Sequence, residues 1–269
     1  MSLLVFLLGA SVGSFLNVCI SRWPAGLSIV RPRSRCPRCE RPITWYENVP
    51  LVSWVALRAR CRGCGLPISV QYPAVEALVG VIWLASWIAF GPTLTMLRVS
   101  VAASILVGVA VTDLLHYVIP DGFTVTGFLL ALVTPVIGLM LGDNGPFAGP
   151  WEALLGACVG AGAITIVGWL GEVALKKEAM GEGDATLMAF IGAMVGPGRS
   201  LLTIFAAAAL ASVVFVVFVV PVGALRARAR GVPFTLPLVP FGVFLAPAGI
   251  LTLLWGYPVI DWYLAAISR

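Results

Sequence analysis

Charge is scarce in this 269-residue chain: 11% of its residues are Asp, Glu, Lys or Arg, where a soluble globular protein carries about 25%. Together with 60% hydrophobic residues and a mean hydropathy of +1.01, that shortage excludes an ordinary water-soluble domain. It points to an all-α polytopic membrane protein. Signal-peptide features are missing too. The opening stretch has no basic n-region, and no small-residue cleavage site precedes the polar segment that follows. With Ser14, Asn17 and Cys19 inside the run, it reads as a retained first span. Histidine is reduced to His116, which reads as an interfacial bystander or local partner before it reads as a catalytic group.

Apolar runs of roughly 17–25 residues can cross a hydrocarbon core. They fall at about 2–20, 73–90, 96–115, 122–141, 151–171, 185–196, 200–222 and 238–256, the sixth being short and glycine-interrupted. About eight transmembrane helices put both termini on one side. Nine arginines lie in the 21–72 loop, Lys176 and Lys177 in the 172–184 loop, and Arg226, Arg228 and Arg230 in the 223–237 loop. Fourteen of the seventeen Lys and Arg residues thus share one side, leaving Arg98, Arg199 and Arg269 on the other. The positive-inside rule makes the basic side cytosolic and leaves both termini outside. The net charge of +5 is mostly this asymmetry. Basic loops beside an anionic inner leaflet have membrane lipids as partners and need no nucleic acid.

The 21–72 loop is too small to fold on a hydrophobic core alone. It holds Cys36-Pro-Arg-Cys39 and, twenty-one residues on, Cys61-Arg-Gly-Cys64. Paired CxxC knuckles at that separation fit a tetrahedral four-cysteine zinc site. Arg35, Arg38 and Arg62 stand nearby to offset thiolate charge. A pair of disulfides and a redox CxxC are the rival readings; a cytosolic location disfavours the first, and two turn-flanked copies disfavour the second. Cys19 and Cys158 read as packed small hydrophobes. The predicted organisation is therefore 1–90, with two spans and the zinc loop, followed by 91–269, a membrane domain.

Two aspartates interrupt the apolar runs of that second part. Asp113 lies near the end of one run (Val99–Leu115), and Asp184 opens another in Gly181-Glu182-Gly183-Asp184. A carboxylate at bilayer depth is costly unless partnered or hydrated, so such residues are functional candidates by default. Parity places both at the cytosolic side, where two carboxyls sharing a proton can activate a water and polarise a scissile carbonyl. Helix polarity favours negative charge on Asp184, at a helix N-terminus, and the proton on Asp113, toward a C-terminal end. Pro120-Asp121 starts the next span, and Asp121 is expected to cap it.

At these residues the chain resembles the type IV prepilin peptidases, bifunctional membrane aspartyl proteases and N-methyltransferases. The resemblance covers nearly the whole chain. It begins with Gly13-Ser14-Phe15-Leu16-Asn17-Val18 and Arg22-Trp23-Pro24, and continues through both CxxC pairs with Trp45-Tyr46-Glu47-Asn48-Val49-Pro50 and Ser53-Trp54 between them. Ile68-Ser69-Val70-Gln71-Tyr72-Pro73, Glu76, Asp113 with Ile119-Pro120-Asp121, the Gly-x-Gly-Asp motif and Pro237-Leu238-Val239-Pro240-Phe241-Gly242 complete it. Members often continue the second aspartate with Val-Lys; here Ala185-Thr186 follows, so no basic residue stands at that site.

The resemblance implies catalysis by Asp113 and Asp184, structural zinc on Cys36, Cys39, Cys61 and Cys64, and a place in the bacterial inner membrane. It implies prepilin or pseudopilin substrates, whose basic leader is cut off at the cytosolic membrane border. It also implies methylation of the new amino terminus with S-adenosylmethionine, for which the sequence shows no glycine-rich fingerprint; Glu47 and Glu76 are candidates to take the amine's proton. A proton- or cation-coupled transporter would explain the aspartates but not the zinc loop, and no inverted repeat is evident. A zinc-stabilised scaffold of a secretion machine is a third reading. Preflagellin-type peptidases typically lack the cysteine-rich insertion.

Overall fold

A computed structural model describes residues 1–142, 145–176, 180–231, 233–234 and 239–268. Lys177, Pro237, Leu238 and Arg269, which entered the sequence reading, lie outside them. The first helix, α1 (Ser2–Arg22), leads into the cysteine loop, which carries two 3-10 turns (Trp23–Ala25 and Trp45–Asn48) and a short α-helix, α2 (Val52–Ala56); α3 (Gln71–Phe90) returns from it. Then follow α4 (Leu94–His116), α5 (Asp121–Leu141), α6 (Pro150–Leu175), α7 (Glu182–Val195), α8 (Pro197–Val214), α9 (Val220–Arg230) and α10 (Gly242–Ile267). One π-helical turn, Phe215–Val219, joins α8 to α9 without a break.

Lipid tails are as apolar as leucine, so membrane helices associate through close packing of small residues. Two hairpins show it. In α1 and α3, a Cβ on Gly9 would meet Trp83 at 2.7 Å, one on Gly13 the Glu76 Cα at 2.8 Å, and one on Gly80 the Phe6 ring at 2.8 Å. In α6 and α7 the backbones touch: a Cβ on Gly156 would lie 2.1 Å from the Gly192 carbonyl oxygen, and the reverse distance is also 2.1 Å.

Among the described residues, seven helices are long and apolar enough to cross a membrane, as a multi-pass protein requires. The sixth predicted span, α7, has 14 residues and a rise of about 21 Å. It is not among the seven, yet Phe190, Ile191, Ala193, Met194 and Val195 on it are all buried. Its neighbours, not its own length, keep it out of water. The stretch predicted as a 223–237 loop is helical as far as Arg230, since α9 continues the line of α8. The last helix runs to Ile267, past the expected 256, with Pro247 and Pro258 inside it; neighbouring helices make such prolines tolerable.

Candidate active site and metal centre

The residues that the sequence set apart come together in two places. Asp113 lies one turn before the end of α4, whose last carbonyls are capped by Tyr117 in the left-handed region at φ 56. Ile119 follows and forms a wedge. A Cβ on Gly183 would lie 3.0 Å from Ile119 Cβ, and one on Gly242 would lie 2.9 Å from Ile119 Cδ1 and 2.7 Å from Asp113 Oδ2. Ile119 thus lies against Gly183, which precedes Asp184, and against Gly242, which faces the Asp113 carboxyl. Asp113 is 5% exposed and Asp184 8%. Asp113 Oδ2 is buried and has no hydrogen-bond partner among the described residues.

Asp184 occupies the first turn of α7, its amide donating to the Gly181 carbonyl at 3.1 Å. The site is recessed. The close pairs Gly156 with Gly192, Gly160 with Met188, and Gly168 with Met180 put Asp184 level with Ile164 on antiparallel α6. That helix continues to Leu175, about 16 Å further at 1.5 Å per residue.

Two expectations change here. Pro120 takes the N-cap position of α5 and Asp121 is the first helical residue, exposed, with no side-chain cap bond; it is a first-turn acid, not a cap. The Asp113 carboxyl also lies against the amino-terminal end of α10. A second helix end besides that of α4 therefore bears on this residue, and the expected asymmetry between the two aspartates weakens. His116 is exposed at the end of α4, as a bystander would be. Cys19 is buried and Cys158 exposed.

The four loop cysteines have ligand sulfurs within 4.8 Å of one another, with Cys36 to Cys64 at 3.7 Å and Cys39 to Cys61 at 4.0 Å. A tetrahedron with Zn–S bonds of about 2.3 Å has edges near 3.8 Å, so the set fits a zinc ion. All four are free thiols. The two knuckles are copies, a repeat the sequence reading missed although Arg-Cys-x-x-Cys-x-x-Pro recurs at Arg35–Pro42 and Arg60–Pro67. Each is closed by a bridge between its first and last residue. In each, the first cysteine's amide bonds to the residue before the proline, Cys36 to Arg41 at 3.0 Å and Cys61 to Leu66 at 2.8 Å. Amides of Cys39 and Arg38 pull the Cys36 thiol down to about 6. Cys64 moves the other way, to about 11, against the pull of the Leu66 amide, because burial and the other three sulfurs disfavour a further negative charge. A dication relieves that crowding.

The loop's charged side chains are mostly spoken for. Arg41 pairs with Glu47, and this contact, with the Thr44 amide at 3.2 Å, holds the Glu47 carboxyl below its usual range. Arg62 faces Glu47 at 3.8 Å and Arg35 faces Glu40 at 3.8 Å, so neither serves the thiolates alone. Glu76, 7% exposed on α3, accepts from the Leu51 amide at 2.8 Å and anchors the loop to the bundle. Asn17 donates to the Tyr72 carbonyl at 3.1 Å and ties α1 to the start of α3.

Two family models match this chain, the Bacterial Peptidase A24 N-terminal domain over residues 7–90 and the Type IV leader peptidase family over residues 100–217. A protein of Aeromonas hydrophila named prepilin leader peptidase/N-methyltransferase is 33% identical over 287 residues, 97% of this chain and 93% of the relative. The chain belongs to the type IV leader peptidase family. A Pseudomonas aeruginosa protein of the same name is 33% identical over 289 residues, with the same coverage of each chain. One from Myxococcus xanthus is 47% identical over 191 residues, 71% of this chain and 55% of the relative. No solved structure matches. Within the family's two segments, the first contains all four loop cysteines and the second both aspartates.

Proposed function

We propose that this protein is a prepilin peptidase and N-methyltransferase: it removes the basic leader of prepilins or pseudopilins and methylates the amino terminus that cleavage exposes. The observation that carries the reading is the placement of two buried carboxyl groups, Asp113 and Asp184, beside a common neighbour: Ile119 lies against Gly183 and against the Gly242 that faces Asp113. With fourteen of seventeen Lys and Arg residues on the side where the apolar runs place both aspartates, the reaction belongs at the cytosolic face of the inner membrane, with both termini outside. Residues 1–90 form the zinc-bearing part and 91–269 the peptidase part.

The chemistry asked of the pair is general acid–base catalysis on water. One carboxylate takes a proton as the water oxygen adds to the scissile carbonyl carbon, and the other carboxyl donates a hydrogen bond to the carbonyl oxygen. As the C–N bond breaks, the proton passes to the leaving amine. Two acids that share one proton at close quarters can serve both needs. Both acids are shielded from bulk water, Asp113 being 5% exposed and Asp184 8%.

Zinc on Cys36, Cys39, Cys61 and Cys64 would have four thiolates and no open position, so its part is to close the loop. S-adenosylmethionine supplies an electrophilic methyl carbon to the neutral amine. Glu47 and Glu76 are engaged by Arg41 and by the Leu51 amide, so their carboxylates serve the loop's shape before they serve that amine. The transport and scaffold readings are not favoured by relatives that carry peptidase and methyltransferase names. Co-expression with a prepilin in a host lacking its own processing enzyme tests the reading. A shortened, methylated pilin is expected, and an unprocessed one contradicts it.

A further inference from the structure

The carboxyl of Asp113 meets an unusual wall. Its Oδ2 is buried without a hydrogen-bond partner among the described residues, and 2.7 Å from it is the point where Gly242 would carry a Cβ. Gly242 is the first residue of α10 and is not among the residues with positive φ. Its backbone is one that any residue can adopt, so what this glycine contributes is the missing side chain. The first N–H groups of a helix have no partner within it, and no side-chain cap closes α10. The amides of Val243 and Gly242 face Asp113. The amide end of α10 and a buried carboxyl therefore face each other across the space that the glycine leaves.

We propose that Gly242 is a positioning residue for Asp113: without a Cβ, it lets the amino-terminal end of α10 approach the Asp113 carboxyl and hold it in register with Asp184. This rests on the two-aspartate peptidase reading. A helix N-terminus favours negative charge close to it, and its fixed amides limit how the carboxyl can rotate. The same end of α10 meets Ile119, so one backbone element sets both the acid and the wedge beside it. A methyl group at position 242 would push the carboxyl aside while leaving its chemistry intact.

The test uses the full-length protein purified in detergent and a prepilin substrate, and measures kcat and KM for leader removal. Gly242→Ala is expected to lower kcat by about 10- to 100-fold with KM within about twofold, the signature of a misplaced catalytic group and not of lost binding. A Cβ would also touch Ile119 Cδ1, so packing must be separated from positioning. Ile119→Val deletes that atom, and the double variant Gly242→Ala with Ile119→Val relieves the hydrocarbon clash while the carboxyl clash stays. The thermal midpoint of the double variant should return to that of wild type while kcat stays low. Recovery of kcat in the double variant, or wild-type kcat in Gly242→Ala, overturns the proposal. Wild type and Asp113→Asn are run beside them. If wild type is inert, the peptidase reading falls and takes the inference with it; if wild type cleaves and Asp113→Asn does not, the Gly242 variants judge the inference alone.

Discussion

Trp23 stands edge-on to Phe123, with ring centroids 4.4 Å apart and planes at 86°. The indole also fills the space a Cβ on Gly122 would need, 2.5 Å from Trp23 Cε2. Phe123 in turn lies against Gly108, 2.5 Å from its missing Cβ, and Gly108 is on the helix that ends with Asp113. The residue that follows α1 is thereby linked, through Phe123 of α5, to the helix carrying one of the two acids. Trp23→Ala deletes an aromatic pair worth about 1 kcal/mol and opens a cavity at the start of α5. We expect a lower thermal midpoint and severalfold slower leader cleavage with zinc content unchanged, and Trp23→Phe should recover most of both.

The backbone contact of α6 with α7 sets a second expectation. A Cβ on Gly192 would lie 2.1 Å from a carbonyl oxygen, and backbone cannot swing away as a side chain can. Gly192→Ala should cost about 3 kcal/mol or more, the upper range for overpacking, and should abolish cleavage because α7 carries Asp184. Gly162, on the same helix as Gly156, has nothing within 4 Å of its missing Cβ. Gly162→Ala should be neutral or stabilising by up to about 1 kcal/mol through helix propensity. Thermal unfolding in detergent compares them, and equal effects would contradict the close approach.

Metal analysis of the purified chain should find about one zinc per molecule. Serine at Cys36 or Cys61 should remove it, and chelation should raise hydrogen exchange across the cysteine loop. Because a closed four-thiolate site takes no part in peptide cleavage, loss of zinc should reduce methylation more than cleavage. Four readily alkylated thiols in the native protein would refute the site.

The paired knuckles differ at one informative position. Gly65 has φ 69 and its counterpart Glu40 has φ 55, a conformation that costs a residue with a side chain roughly 1–2 kcal/mol. The Arg35 contact of Glu40 is exposed and 3.8 Å long, and such pairs contribute about 0–1 kcal/mol. Glu40→Gly should therefore keep its zinc and resist chelation at least as well as wild type, read as the zinc-release rate against a competing chelator.

Much of this architecture is legible in the sequence because its signals are local. A long apolar run marks a span wherever it packs, CxxC spacing marks a metal knuckle, and a carboxylate in an oily segment marks itself. Hydropathy falls where the membrane ends, not where a helix ends, so Ala-Leu-Arg-Ala-Arg-Ala-Arg at 224–230 looked like a loop although its residues favour helix. Asp121 looked like a cap because the motif permits one; Pro120 takes that position instead. The wall around Asp113 was out of reach, since Gly242 and Ile119 meet it through tertiary packing that no spacing announces. Glu47 and Glu76 were hidden for the same reason: their partners, Arg41 and the Leu51 amide, are set by how the loop folds.

The central claim is that Asp113 and Asp184 together cut a leader peptide. Its most direct test is mass spectrometry of a purified prepilin incubated with purified wild type, Asp113→Asn, Asp184→Asn and Asp121→Asn. The asparagine keeps each side chain's shape while removing its acid–base function. Wild type should remove the leader, each of the first two variants should leave it intact while remaining folded and zinc-bound, and Asp121→Asn should retain most activity. Near-normal cleavage by Asp113→Asn or Asp184→Asn would contradict the two-aspartate mechanism.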